Sequence, residues 1–336
     1  LFFDEEPDLI FFADSWRTLE SHYLLGTLPA DYVNEYFSAI CDIQSKTDAT
    51  IFIHNFDLPS WSKLYIRSPT SQPFVNYVRL VNHFIGNYIT NSNRVILLDV
   101  NYLSSDTGTQ IWTDNRLWYT SRQHWSPRAN LVVSWELAYN VAQLFGTYQI
   151  KVLVCDLDDT LWGGVAADDG VENLRITHGD PLGESYLDLQ ITIKGMKENG
   201  MILAIASKND QETVDDVFKQ HTHMPLSLED FSVSKINWDR KSRNIADIAT
   251  SLNVGIDSIA LIDDNPREIA EVIDYLPSLT AVHLSGDPSQ YSRKLIEHIP
   301  PIATVPTHED TQRSIYYKNY FLILMFQTKV YHLWDM

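Results

Sequence analysis

The chain has 336 residues, 44% of them hydrophobic and 12% aromatic, which suits a folded protein with ample cores and excludes a disordered one. Its 44 acidic residues against 25 basic ones give a net charge of −19, which excludes general binding of nucleic acid or of an anionic membrane. Cys41 and Cys155, far apart and outside any CxxC, exclude a disulfide framework and point to a reducing cytoplasm.

In chain order, Leu9–Ala13 is an apolar run delivering Asp14-Ser15, Thr50–Ile53 one delivering His54-Asn55, and Arg94–Val100 one holding Asp99. Helical spacing recurs over about 16–25, 30–45, 72–90 and 127–145. Strands alternating with helices predict an α/β domain over 1–145, a parallel sheet with helices on both faces. A short join, Phe145–Ile150, leads to KVLVCDLDDTLWGG over Lys151–Gly164. That is a buried strand stopping at Asp156, Asp158 and Asp159.

The segment 163–180 carries glycines and acids with little periodicity and reads as a flap or hairpin. Gly183–Gly200 is a helix, with Tyr186, Leu189, Ile193 and Met196 at helical spacing and Gly200 at its end. Met201–Ala206 is a strand delivering Ser207-Lys208-Asn209-Asp210, with Asp210 placed to cap the next helix, which runs to about Gln220. Phe231–Ile236 is a strand, Arg240–Leu252 a helix, Ser258–Ile262 a strand delivering Asp263-Asp264-Asn265, and Leu279–Leu284 a fifth strand. Pro266 suits the first position of the helix between the last two. This repetition predicts a doubly wound, Rossmann-like parallel sheet over 150–315. The stretch 316–336 is a tail without a motif, and no apolar run reaches the ~18 residues of a membrane span, the longest near the end being Tyr320–Phe326. No stretch reads as a signal peptide, and a chain opening on Leu1 is expected to be part of a longer gene product.

Ligands of open α/β sheets bind at the carboxyl ends of strands, where these polar clusters fall. Carboxylates packed as closely as Asp156, Asp158 and Asp159 repel one another unless a cation or proton compensates. Mg²⁺, held by carboxylate oxygens and a substrate phosphate, is the natural compensator.

Asp156/Asp158/Thr160 after one strand, Ser207 after a second, Lys241 opening a helix, and Asp263/Asp264 after another strand together resemble the haloacid dehalogenase-like (HAD) superfamily, mainly phosphatases and phosphotransferases. The resemblance implies Asp156 as the nucleophile that forms an aspartyl-phosphate and Asp158 as acid and base. It also implies Ser207 and Lys241 on the phosphoryl group, with Thr160, Lys208 and Asn209 among the phosphate- or substrate-binding residues. Mg²⁺ would be held by Asp156, the Asp158 carbonyl and Asp263 or Asp264. Lys208 and Lys235 are rivals to Lys241, which is preferred because it opens the helix leading to the Asp263 strand.

DLDDTLWGGVAADDG, LAIASKND, HTHMPLSLEDFSVSKINW, INWDRKSRNIADIATSLNVGIDS and LIDDNPREIAEV narrow the resemblance to the FkbH-like family. Its members dephosphorylate a glyceryl unit taken from bisphosphoglycerate and pass it to a phosphopantetheinylated acyl carrier protein in polyketide-type biosynthesis. The alternatives are a plain HAD phosphatase and a non-catalytic carrier-docking module. Asp159 stands where that family has Asn, and residues 267–269 read Arg-Glu-Ile where it has Glu-Arg.

A thioester-forming enzyme raises the question of a thiol. Cys155, one residue before Asp156 on a strand, points to the opposite face and reads as a core residue, and Cys41 reads as buried too. Trp162 and Trp238 flank the motifs, and packing is their expected role.

In the first domain, Ser15, Asn55 and His124 resemble the layout of SGNH hydrolases on a flavodoxin-like α/β fold. There they would be nucleophile, oxyanion-hole residue and base. The serine lies in Ala-Asp-Ser instead of Gly-Asp-Ser, and no acid stands three residues before His124. The domain is therefore read as a scaffold.

Overall fold

In the computed structural model of the chain, the structure describes residues 7–59, 73–90, 92, 94–146 and 150–299. The expected tail over 316–336, with its apolar run Tyr320–Phe326, lies outside the described residues. Two compact units part between Val141 and Ala142.

The first unit holds β1 (Leu9–Phe11), α1 (Trp16–Leu24), α2 (Pro29–Gln44), β2 (Thr50–His54), α3 (Pro73–Ile89), β3 (Val95–Leu98), α4 (Val100–Thr107), α5 (Thr109–Trp112), α6 (Asn115–Ser121) and α7 (Pro127–Leu144). Its three strands are parallel in the order β1-β2-β3. Alternate strand residues feed two cores, as the two-residue period requires. Ile10, Ile51 and Ile53 pack with Leu19, Phe37, Val78 and Val81 of α1–α3, whereas Phe11 packs with Trp112, Ala129 and Val133 of α5 and α7.

Three short helices between 100 and 121 have no counterpart in the sequence pattern, and Asp99, read as part of a strand, is the N-cap of α4. Its carboxylate accepts from Tyr102 N at 2.9 Å. Cys41 is exposed and not buried. The buried stripe of α2 is Tyr32, Val33, Phe37 and Ile40, and the residue after Ile40 is turned ~100° away from it.

The second unit holds β4 (Val152–Cys155), α8 (Ala166–Asp169), α9 (Pro181–Glu198), β5 (Ile202–Ser207), α10 (Gln211–Gln220), β6 (Phe231–Ile236), α11 (Lys241–Leu252), β7 (Ile259–Asp263), α12 (Pro266–Tyr275), β8 (Thr280–His283) and α13 (Tyr291–His298). All five strands are parallel in the order β6-β5-β4-β7-β8. Successive strands are therefore laid down on one side of β4 (β5, β6) and then on the other (β7, β8), which makes the carboxyl end of β4, with that of β7, the topological switch point.

Every residue of β4, β5 and β7 is buried, the mark of a sheet covered on both faces. Leu153, Cys155, Leu203, Ile205, Ala260 and Ile262 meet residues of α9, α10 and α13 on one side. Val152, Val154, Ile202, Ala204, Ile259 and Leu261 meet α11 and α12 on the other. The fold is thus a mixed α/β one with a doubly wound, Rossmann-like parallel sheet.

Local punctuation agrees with the sequence at α9, where Gly200, at φ +95, closes the helix with its N–H on Lys197 O at 2.9 Å. Pro266 opens α12 behind the Asn265 cap. It fails at α10: Asp210 stands at the N-cap, but its carboxylate accepts from the Trp238 indole at 3.0 Å instead of capping the helix.

Candidate active site

Asp156 continues β4 by one residue, its N–H on Ile262 O at 3.1 Å, so its carboxylate stands beside the end of β7. Lys241 is the first residue of α11 and is 3% exposed. A cation at a helix N-terminus opposes the helix dipole. What holds it there is a pair of carboxylates: its Nζ lies 2.9 Å from Asp156 Oδ1 and also donates to Asp263 Oδ2. Burial disfavours the ammonium, yet the charges of Asp156 and Asp263 outweigh it and hold Lys241 above the usual lysine value.

Neighbouring polar contacts fix the start of α11. Glu271 of α12 accepts from Ser242 through both backbone N–H (3.2 Å) and hydroxyl (2.5 Å), and the Asn237 and Asn244 amides bond each other reciprocally. Glu271 and Asn237 escaped the sequence reading. The serine directly after Lys241 was the only local cue.

The second oxygen of Asp263, Oδ1, accepts from Asn265 N at 2.8 Å. Asp264 has a looser hold: Thr160 Oγ1 donates to it at 3.4 Å and accepts from its N–H at 3.2 Å. Burial, with Asp156 and Asp159 nearby, pushes the Asp264 carboxyl up to about 6. Burial likewise raises Asp263 and Asp158, with the Asp156 charge adding to it in both cases.

Asp158 accepts from the Trp162 indole at 2.9 Å, Ala166 N at 3.1 Å and the Asn209 amide at 2.8 Å. Asp159 has a left-handed backbone, φ +51, which Asn and Asp tolerate better than other side chains. Its carboxylate closes the loop on Gly164 N at 2.8 Å. The acid at this position is therefore spent on the turn. Gly163 is required by close approach: a Cβ there would lie 2.7 Å from the Tyr186 ring, while its backbone exchanges two hydrogen bonds with Arg175. The stretch between them, expected as a flap or hairpin, holds α8 and a short 3-10 helix (Val171–Asn173).

Asp156, Asp263 and Asp264 each offer an oxygen, and these oxygens lie within 4.8 Å of one another. Three hard donors, two of them with carboxyls raised by burial and crowding, with Lys241 between Asp156 and Asp263, form a donor set that fits a divalent cation.

Other expected residues fall differently. Ser207 ends β5 and is buried. Asn209, expected on phosphate or substrate, is buried with its amide on Asp158. Lys208 is turned to Glu268 of α12 at 2.6 Å and Lys235 to Asp247 at 3.2 Å, so neither rival joins the carboxylates of Asp156 and Asp263. Cys155 is wholly buried in the core, and burial raises its thiol far above the range of a reactive one. Trp162 packs, fully buried. Trp238, expected to pack, is 65% exposed.

In the first unit, Ser15 is the N-cap of α1, its hydroxyl accepting from Arg17 N at 3.1 Å, and the Asn55 side chain is held by Asp99 and Asn101 N. His124 does have an acid: its Nε2 lies 2.8 Å from Asp57 Oδ1, both side chains being buried. The pairing spans 67 residues, and only the acid two places after Asn55 could have hinted at it.

The fold and this cluster define an α/β protein with a hard-cation donor set at the switch point of a Rossmann-like sheet. No protein-family profile and no curated protein matches the chain significantly. Among solved structures, the chain is similar to the N-terminal part of a protein from Bacteroides fragilis that contains a phosphatase domain and was crystallised with Mg. The TM-score is 0.78 at 26% identity, over 89% of this chain and 80% of that one. An uncharacterised protein from Corynebacterium glutamicum, at TM-score 0.28 and 12% identity over 44% of this chain and 91% of that one, is too distant to inform the fold.

Proposed function

We propose that this protein is a Mg²⁺-dependent phosphatase that works through an aspartyl-phosphate on Asp156. The observation that carries the reading is the Lys241 ammonium set between Asp156 and Asp263, with Asp264 completing a cation donor set. The likeness to a Mg-bound phosphatase-domain protein supports it.

Asp263 is engaged at both oxygens, by Lys241 and by Asn265 N, whereas the Asp264 carboxylate accepts from Thr160 at a long 3.4 Å. Asp264, with Asp156 and the Asp158 carbonyl, is the better placed to hold the cation, and Asp263 holds Lys241. When bound, Mg²⁺ neutralises charge on the phosphoryl oxygens.

Lys241 fixes Oδ1 of Asp156, which orients the carboxylate for attack on phosphorus. As the Asp156–phosphorus bond forms, the ester P–O bond breaks and Asp158 gives its proton to the leaving oxygen. Water then attacks phosphorus, its proton passing to Asp158, and the Asp156–phosphorus bond breaks to release phosphate. Ser207, at the end of β5, is assigned a phosphoryl oxygen.

The finer reading rests on the FkbH-like resemblance of 150–315. The phosphate removed is that of a phosphorylated three-carbon unit derived from bisphosphoglycerate, and the glyceryl group is loaded on an acyl carrier protein. Cys155, sealed in the core, does not serve as the acceptor, and the acceptor the resemblance assigns is the carrier's phosphopantetheine thiol. The sparing use of cysteine supports a cytoplasmic setting, and among the described residues no helix is long and apolar enough to cross a membrane.

The test is phosphate release from monoesters with and without Mg²⁺, alongside the intact mass of a phosphopantetheinylated carrier. Asp156→Asn should lower release by at least about 10³-fold at a temperature where the variant, which loses one partner of buried Lys241, is still shown to be folded. Release without a carrier adduct would leave a phosphatase and remove the transfer step. Unchanged turnover in Asp156→Asn would remove the phosphatase reading.

A further inference from the structure

The grip on Asp158 is unusually complete. Two donors, the Trp162 indole N–H and Ala166 N, converge on Oδ1, and one, the Asn209 amide, reaches Oδ2. Neither side chain in this set is a surface group: Trp162 is fully buried and Asn209 is 2% exposed. Both are themselves fixed. The Trp162 ring meets Phe218 of α10 edge-on at 5.8 Å, and Asn209 Oδ1 accepts from Asp210 N at 3.0 Å.

A buried indole needs an acceptor for its N–H, and a phenylalanine would fill most of the same apolar space without that demand. Here the acceptor is the carboxylate two residues from the proposed nucleophile. Three donors from three separate chain positions leave that carboxylate one orientation.

We propose that Trp162 and Asn209 are positioning residues for Asp158. They hold its carboxylate so that Oδ1 is saturated by two donors and Oδ2, with one, exchanges the proton with the leaving group. The inference rests on the phosphatase reading and adds to it the residues that orient Asp158 for its exchange with the leaving group.

Leaving groups separate positioning from packing. A p-nitrophenolate departs without a proton, whereas the alkoxide of glycerol phosphate needs one. For both esters kcat/KM reports events up to transfer onto Asp156, so the later base step does not enter. Trp162→Phe and, separately, Asn209→Leu should lower kcat/KM for glycerol phosphate about 10–100-fold through kcat, with p-nitrophenyl phosphate changed less than about threefold. Replacing Trp162 with benzothienylalanine, which keeps the ring shape and lacks the N–H, should give the same split if the Phe variant does not fold.

Equal losses on both esters, or no loss on either, would overturn the positioning role and leave the phosphatase reading standing. A wild-type protein that with Mg²⁺ hydrolyses neither ester would overturn both.

Discussion

The proposed function gives Asp263 and Asp264, neighbours in sequence, different tasks, and a cation titration tests that assignment. Asp264 is raised to about 6 chiefly by burial and then by Asp156 and Asp159. Because its folded value lies above the ordinary 3.8, the stability its proton contributes is full below about 3.8 and lost as pH rises through about 6. Near pH 7.5 the cation-free site therefore carries a repulsion that Mg²⁺ removes, while near pH 5 a proton has already removed much of it. Millimolar MgCl₂ should raise Tm by about 2–5 °C near pH 7.5 and by clearly less near pH 5. Asp264→Asn should erase most of that rise, whereas Asp263→Asn should lower Tm itself by stripping a partner from buried Lys241. Equal rises at both pH values would show that Asp264 is not the ligand that matters. The residue types of this cluster were legible from spacing at strand ends. Their division of labour was not, because it depends on which oxygen meets which donor. Asp159 shows the same limit: its left-handed backbone, invisible in the sequence, turns an apparent extra ligand into a loop closure.

At the scale of elements, Asp230 binds α9 to the turn that launches β6. Lys194 and Lys197, one helical turn apart on α9, donate to its Oδ1 at 2.6 and 2.5 Å, and Ser227 donates to Oδ2 through both N–H and hydroxyl. Burial works against the carboxylate, but these four donors outweigh it and bring the group down to about 2. A lowered carboxyl contributes stability above its unfolded value near 3.8 and loses it as pH falls through about 2. Asp230→Ala should therefore cost about 2–4 kcal/mol near neutral pH, read as a lowered denaturant midpoint, and the cost should shrink by about pH 3. A pH-independent loss would mean that packing, not charge, holds this junction. Strands and long helices of the second unit were legible because apolar runs of four to six residues alternate with periodic segments. The order β6-β5-β4-β7-β8 was not, since runs buried on both faces carry no mark of their neighbours. Nor were α4–α6, short segments rich in Asn, Ser and Thr whose helicity depends on the Asp99 and Asp114 caps and on burial of Trp112.

For the whole molecule, charge opposes the proposed chemistry at long range and favours it at contact. A chain with 44 acidic and 25 basic residues, net −19, repels a phosphate ester during approach, while Lys241 and a Mg²⁺ ion held by the three carboxylates would attract it only within the site. Screening acts over about 30 Å in 0.01 M salt and about 8 Å in 0.15 M, so added salt weakens the distant repulsion before the buried attraction. Raising NaCl from about 0.01 to about 0.15 M at fixed Mg²⁺ should therefore raise kcat/KM for a phosphate monoester about two- to fivefold through KM, with kcat nearly unchanged. If the proposed transfer to an acidic acyl carrier protein occurs, it should gain more from the same change, because repulsion scales with both charges. A steady fall in kcat/KM with salt would place a local positive potential at the entrance strong enough to overrule the net charge. A salt response in kcat alone would locate the effect in Asp156, Asp158 and Lys241 and not in the approach. The ester and the proposed carrier thus weigh the net charge against the site, and the carrier would be the more sensitive of the pair.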